Sequence, residues 1–162
     1  MWEQLGITSP DFAQLGQLSV RLVVACALAA ILGLEREARG RQAGLRTHML
    51  VALGSALFTA IPLQSGAASV GEIVKGITAG IGFLGAGAIL KQESAKRISG
   101  ITTAAGIWTT AGIGFTAGAG FIGSAIVATV LAWLILYPLD GVADPLRDDN
   151  LPPEETKPKQ HA

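Results

Sequence analysis

Charge is what this sequence has least of. Asp, Glu, Lys and Arg make up 15% of its 162 residues, against about 25% in a soluble domain. None occurs from Leu22 to Leu34, from Met49 to Gly71, or from Gly100 to Leu139. Blanks that long exceed ordinary core elements, because about 18 consecutive apolar residues suffice to cross a bilayer. The period-two alternation of a membrane β-barrel is also absent, which leaves α-helices as the spanning structure. Cysteine is scarce as well: Cys26 stands alone, so no intrachain disulfide can form. With two histidines in the chain, no zinc spacing, Ser-His-Asp or Cys-His arrangement emerges. The expectation is no enzyme, no catalytic residue, no resident metal and no cofactor. The opening Met1-Trp-Glu-Gln-Leu-Gly carries Glu3 and no basic residue. A cleaved leader is therefore not expected, and the first span would serve as its own signal.

What is present is apolar and small: half the residues are hydrophobic and 21 are glycine. The fold class expected is all-α, a polytopic membrane bundle of about five transmembrane helices. The spans are placed at 15–34, 47–63, 73–90, 101–118 and 120–137, with Pro62 ending or kinking the second on its far side and Pro138 closing the fifth. The run 101–139 reads either as two spans or as one long hairpin; Ala117-Gly-Ala-Gly120 favours two. Arg36, Arg39, Arg41 and Arg46 follow span one, and Lys91, Lys96 and Arg97 follow span three. The positive-inside rule then puts the N-terminus outside and the C-terminus in the cytoplasm. The domain division expected is a periplasmic segment at 1–14, a transmembrane domain at 15–139 and a disordered cytoplasmic tail at 140–162, where Asp, Glu, Pro and Lys dominate. The bilayer is the first partner implied, and nothing points to nucleic acid.

Glycine is the expected packing device. Thr102, Gly106, Thr110, Gly114 and Gly118 recur at every fourth position, a spacing that makes a flat stripe for close helix approach. The third span carries Gly76, Gly80, Gly82, Gly85 and Gly87. These serve tight packing or, in Gly82-Phe-Leu-Gly-Ala-Gly87, a helix break lining a pathway. Gly80-Ile-Gly-Phe-Leu-Gly85 matches the dinucleotide fingerprint only formally, since no strand precedes it. Gly80, Gly82, Gly85, Gly87, Thr102, Thr103 and Gly106 are the packing or pathway candidates.

The charges that do occur gather in Gly33-Leu-Glu-Arg-Glu-Ala-Arg-Gly-Arg-Gln-Ala-Gly-Leu-Arg-Thr-His48. Glu35 with Arg39, and Glu37 with Arg41, have the favourable helical order four residues apart. Span one thus continues about a turn beyond the membrane before Gly40 and Gly44 break it. Thr47 is the expected N-cap of span two, and His48 behind it is a core histidine or a pH sensor. Glu35, Arg36, Glu37, Arg39, Arg41, Arg46, Thr47 and His48 are the functional-loop candidates, as an orienting anchor, an anion site or a gate. Arg21, the one intramembrane charge in span one, is expected to snorkel to the outer interface, or to find a buried partner in Glu72.

Together these segments are similar to a known family. Gly33-Leu-Glu-Arg-Glu, Gly40-Arg-Gln-Ala-Gly-Leu-Arg-Thr-His48 and Leu53-Gly-Ser-Ala-Leu-Phe58 resemble the first half of the MgtC/SapB family. Gly82-Phe-Leu-Gly-Ala-Gly87 with Ile89, and Gly100-Ile-Thr-Thr-Ala-Ala105 with Trp108, resemble the second half. The resemblance covers about residues 21–132 and implies a short form, without the family's C-terminal soluble domain. Glu72 and Lys75 are the nearest equivalents of an Asp-Pro stretch found before the third span in the family. The resemblance implies a multi-pass protein of the bacterial inner membrane, involved in Mg²⁺ or ion homeostasis and adaptation to low magnesium. It implies action through membrane partners such as the ATP synthase. A homo-oligomer, a dimer in the first instance, is the further partner expected, on the strength of the glycine stripes. The alternative is a transporter or channel in its own right, carrying Mg²⁺ between Gly-rich helices. A weak echo between Gly44-Leu-Arg-Thr47 and Gly100-Ile-Thr-Thr103 suggests two helical hairpins related by a parallel repeat.

Overall fold

The computed structural model describes residues 12–66, 69–90 and 100–137, and these are all-helical. Five helices follow one another: α1 Phe12–Ala38, α2 Leu45–Ser65, α3 Val70–Leu90, α4 Ile101–Gly118 and α5 Ile122–Leu136. Among the described residues three stretches are long and apolar enough to cross a membrane: α1, α2 and Val70–Ile89 of α3. α5 is apolar but shorter, at 15 residues. The run from Gly100 resolves into two helices, α4 and α5, which turn at Gly120 with φ +92°. A left-handed φ of that kind falls naturally to glycine. α1 begins at Phe12, three residues before the expected span. The expected N-terminal segment through Asp11, the loop 91–99, Pro138 and the expected tail lie outside the described residues.

Small residues form the inside of the bundle and large apolar ones its outside. Ala25, Ala29, Ala52, Ala56, Ala117 and Ala125 are fully or nearly fully buried with Leu32 and Ile113. Phe12, Val23, Leu50, Phe58, Phe83, Trp108 and Ile135 face outward. An apolar exterior that extensive would aggregate in water, whereas lipid accepts it and rewards close backbone packing within. Three buried threonine hydroxyls are satisfied inside their own helices. Thr59 donates to the Ser55 carbonyl at 2.7 Å, Thr110 to Gly106 at 2.9 Å and Thr129 to Ala125 at 2.8 Å. Such internal pairing is what a bilayer demands of a polar group.

α4 sits at the centre and packs on every other helix. It runs antiparallel to α1, since Arg21 of α1 meets Gly118 at one end and Arg36 meets Thr103 at the other. It runs parallel to α2, with Gly114 against Ala52 and Gly118 against Ala56. A methyl carbon at Gly114 or at Gly118 would stand 2.7 Å from the facing alanine Cα. The stripe of small residues on α4 is therefore a backbone-to-backbone seam. Thr102, counted in that stripe from spacing, is exposed, and Thr103 takes the inward position. A one-residue error of this kind arises because a four-residue repeat drifts against the 3.6-residue turn.

α3 behaves differently. It continues as one helix through Gly82–Gly87, so the helix break considered for that segment is not present. Its neighbours are α4 and, more sparsely, α2. Pro62 does not end α2 either; the helix runs to Ser65 and closes at Gly66.

Candidate functional site

The arginine-rich end of the bundle, where α1 finishes and α2 and α4 begin, gathers the polar residues. α1 carries Glu35 and Arg36 into the core because its last turns pack against both α2 and α4. Arg36 is 2% exposed and its Nη2 donates to Thr103 Oγ1 of α4 at 3.2 Å. His48, 1% exposed, is placed by the first turn of α2. Its Nδ1 lies 2.9 Å from the Gly44 carbonyl oxygen, and its Nε2 faces α4 at Gly106. Three helices thus supply one buried cluster: Glu35 and Arg36, His48, and Thr103. A charged or ionisable group inside a membrane bundle is costly and marks a functional site by default.

Around this core Arg39 and Glu37 serve as caps. Arg39 Nε stands 2.7 Å from Glu35 Oε1, the expected pair across one helical turn. The alignment is that of an ion pair, and the Glu35 oxygens accept no aligned hydrogen bond among the described residues. Arg39 Nη2 also donates to the Tyr137 carbonyl at 2.9 Å, and its guanidinium lies 5.1 Å from the centre of the Tyr137 ring. That ring stacks on Trp133 at 4.9 Å. Arg39 therefore binds the C-terminal end of α5, where the helix dipole favours a cation. Glu37 accepts from the Leu45 N–H at 2.8 Å and so caps the N-terminus of α2. Thr47 does not take that role: the N-cap is Gly44, and no side chain of its own caps the helix. A Cβ at Gly44 would stand 2.7 Å from Glu37 Oε2, so glycine admits the carboxylate. Arg41 and Arg46 are exposed.

Arg21 marks the opposite end. Its Nη1 donates to the Gly118 carbonyl at 3.1 Å, and the guanidinium also packs on Gly120. Arg21 is half-buried at the C-terminus of α4 and is not paired with Glu72. Glu72 instead accepts from the Ser69 N–H and hydroxyl, both at 3.0 Å, while its own N–H donates to Ser69 Oγ at 3.3 Å. This reciprocal capping box opens α3. Its signal, Ser-x-x-Glu before an apolar run, stands in the sequence at Ser69-Val-Gly-Glu72. The Arg21 and Arg39 contacts had no such signal, because their partners lie 97 and 98 residues away.

The glycine candidates disperse. Gly80 lines a groove of about 600 Å³ between α2 and α3, walled by Leu50, Phe58, Ile73 and Leu84. Gly85 approaches Ala104 of α4, with 3.6 Å from an added Cβ. Gly82 and Gly87 are exposed and have open space beside them. Gly106 alone joins the polar cluster, beneath the His48 ring. Among the described residues no three of His, Cys, Asp or Glu come together as a metal site.

The MgtC family profile matches residues 22–144, which include the α2–α4 seam and the Glu35–His48 segment. Protein SrpB of Synechococcus elongatus is 48% identical over 54% of this chain and 56% of its own length. Protein MgtC of Salmonella typhimurium is 42% identical over 69% of this chain and 48% of its own. YhiD of Escherichia coli K12, described as a candidate magnesium transporter, is 40% identical over 53% and 43% respectively. The chain spans about half the length of these relatives. No solved structure matches it.

Proposed function

Because the chain belongs to the MgtC family, we propose that it acts in magnesium-linked ion homeostasis from the bacterial inner membrane, by working on membrane partners and not by carrying the ion. Its arginine-rich end faces the cytoplasm, as the positive-inside rule requires. The observation that carries this reading is the seam. α2 and α4 meet backbone to backbone at Ala52–Gly114 and Ala56–Gly118, and the polar cluster is confined to one end of that closed core. Magnesium gives up its water reluctantly and asks for carboxylates in octahedral array. The α2–α3 groove offers apolar walls instead. A closed core with a polar rim suits a protein that presents a surface to another membrane protein. The magnesium-related description of YhiD belongs to that relative and supports the physiological setting.

Proteoliposome flux tests the reading. Purified protein is expected to leave Mg²⁺ flux at background, while its expression restores growth of a family-deleted host in low magnesium. Flux above background that Gly80→Leu abolishes in a folded protein would establish transport through the groove instead.

A further inference from the structure

We propose that the groove between α2 and α3 holds one phospholipid of the phosphatidylethanolamine class, with an acyl chain along the groove and the headgroup amine on Glu72. The site stands apart from the magnesium-linked role: flux and complementation test that role, and lipid retention tests this site.

The shape of the groove is the first observation. α3 runs antiparallel to α4, since Gly85 lies against Ala104, and therefore antiparallel to α2. Phe58 then flanks the end where Glu72 stands, and Leu50 and Leu84 flank the other. From Glu72 to Leu84 the helix α3 rises about 18 Å, against about 15 Å for the hydrocarbon of one leaflet. The groove is thus about as long as an acyl chain is deep, and its volume of about 600 Å³ falls in the range of small-molecule sites. Gly76 and Gly80 line it, and an added Cβ at either would meet nothing within 4 Å. A furrow left open would forfeit dispersion contacts along its whole length. Phe58 and Leu84 are exposed beside it, so the groove opens to the surrounding lipid, whose chains are thin and flexible enough to enter.

Polarity along the groove selects the headgroup. The walls are apolar except for Ser55, which is buried, and Glu72 at one end. An amphiphile with its tail in the groove and a cationic head matches that pattern. Both bonds from Ser69 go to Oε2 of Glu72, so the capping box holds the carboxylate in place while Oε1 keeps its acceptor positions. A primary ammonium can donate to Oε1 in a charge-assisted hydrogen bond. The quaternary amine of phosphatidylcholine has no hydrogen to donate, and phosphatidylglycerol offers hydroxyls without the positive charge. Lys75, one turn further along α3 and exposed, supplies a cation for the phosphate that joins amine to glycerol.

The test is native mass spectrometry of the full chain released from nanodiscs holding phosphatidylethanolamine, phosphatidylcholine and phosphatidylglycerol in equal amounts. One phosphatidylethanolamine per chain is expected to stay bound. Glu72→Gln, which keeps the capping box and removes the charge, is expected to lower the preference for phosphatidylethanolamine about two- to fivefold, the span of an exposed ion pair. Gly80→Leu is expected to lose bound lipid of every class. Gly82→Leu, on the same helix but outside the groove, is expected to keep it. Gly76→Leu serves with the same criterion where Gly80→Leu does not fold. Three results overturn the proposal: equal or no retention of the three lipids, a preference unchanged by Glu72→Gln, or a lipid-free dimer that Gly80→Leu dissociates, which would give the groove to a second copy.

Discussion

At position 114 one methyl group decides how closely two helices can lie. Ala at Gly114 would press on the Ala52 backbone, which cannot swing aside as a flexible side chain could. Overpacking of that kind costs about 1–3 kcal/mol. Gly114→Ala is expected to lower the thermal midpoint of the protein in detergent, whereas Gly112→Ala, with open space around it, is expected to leave it unchanged or raise it slightly. Equal effects of the two variants would contradict the seam. The sequence repeat pointed to Gly114 and Gly118 directly. It could not tell Thr102 from Thr103, since both are threonines and only the rotation of α4 separates them.

At the scale of the element, helix ends here are bound by side chains from distant helices. Arg21 holds the end of α4 and Arg39 the end of α5, so α1 acts as a brace along its whole length. A cation at a helix C-terminus contributes about 0.3–1 kcal/mol, and up to about 2 when partly buried. Arg21→Ala is expected to destabilise by an amount in that range, and Arg21→Lys to recover part of it; chemical denaturation in mild detergent reads both. The start of α3 depends on a local device. Ser69→Ala is expected to cost about 1 kcal/mol, and combining it with Glu72→Ala should add little, because the box works as a unit. Full additivity would show that Ser69 and Glu72 act separately. The Ser69 box was readable from spacing alone; the two arginine contacts were not, since nothing local announces a partner so far along the chain.

For the molecule as a whole, the inverted distribution of size, small within and large without, fits a bundle immersed in lipid. The orientation proposed for it has a direct check. A reporter active only in the cytoplasm, fused after Asp140, is expected to be active, with no activity from a periplasmic reporter at the same point. The reverse result would turn the bundle over and place the His48 cluster at the outer face. α3 stands apart from the seam and borders the groove of about 600 Å³. Gly80→Leu is accordingly expected to leave the fold of the single chain intact, as circular dichroism would read it.

Composition and charge spacing by themselves determined that this protein is helical and that four arginines gather between its first two spans, because lipid leaves only helices once barrel alternation is absent and penalises charge within a span. Glycine spacing also marked where helices come together. Only the tertiary structure decided what each charge does. Glu35, Arg36 and His48 stand in one short stretch of sequence, yet whether they face water or one another depends on how α1, α2 and α4 rotate about their axes. For α2 and α4 that rotation goes with the contact of Gly114 and Gly118 with Ala52 and Ala56, and for α1 with the close approach of Gly33 to Leu45 and His48. A packing constraint deep in the bundle thereby turned an arginine-rich loop into a buried polar cluster and a set of helix caps.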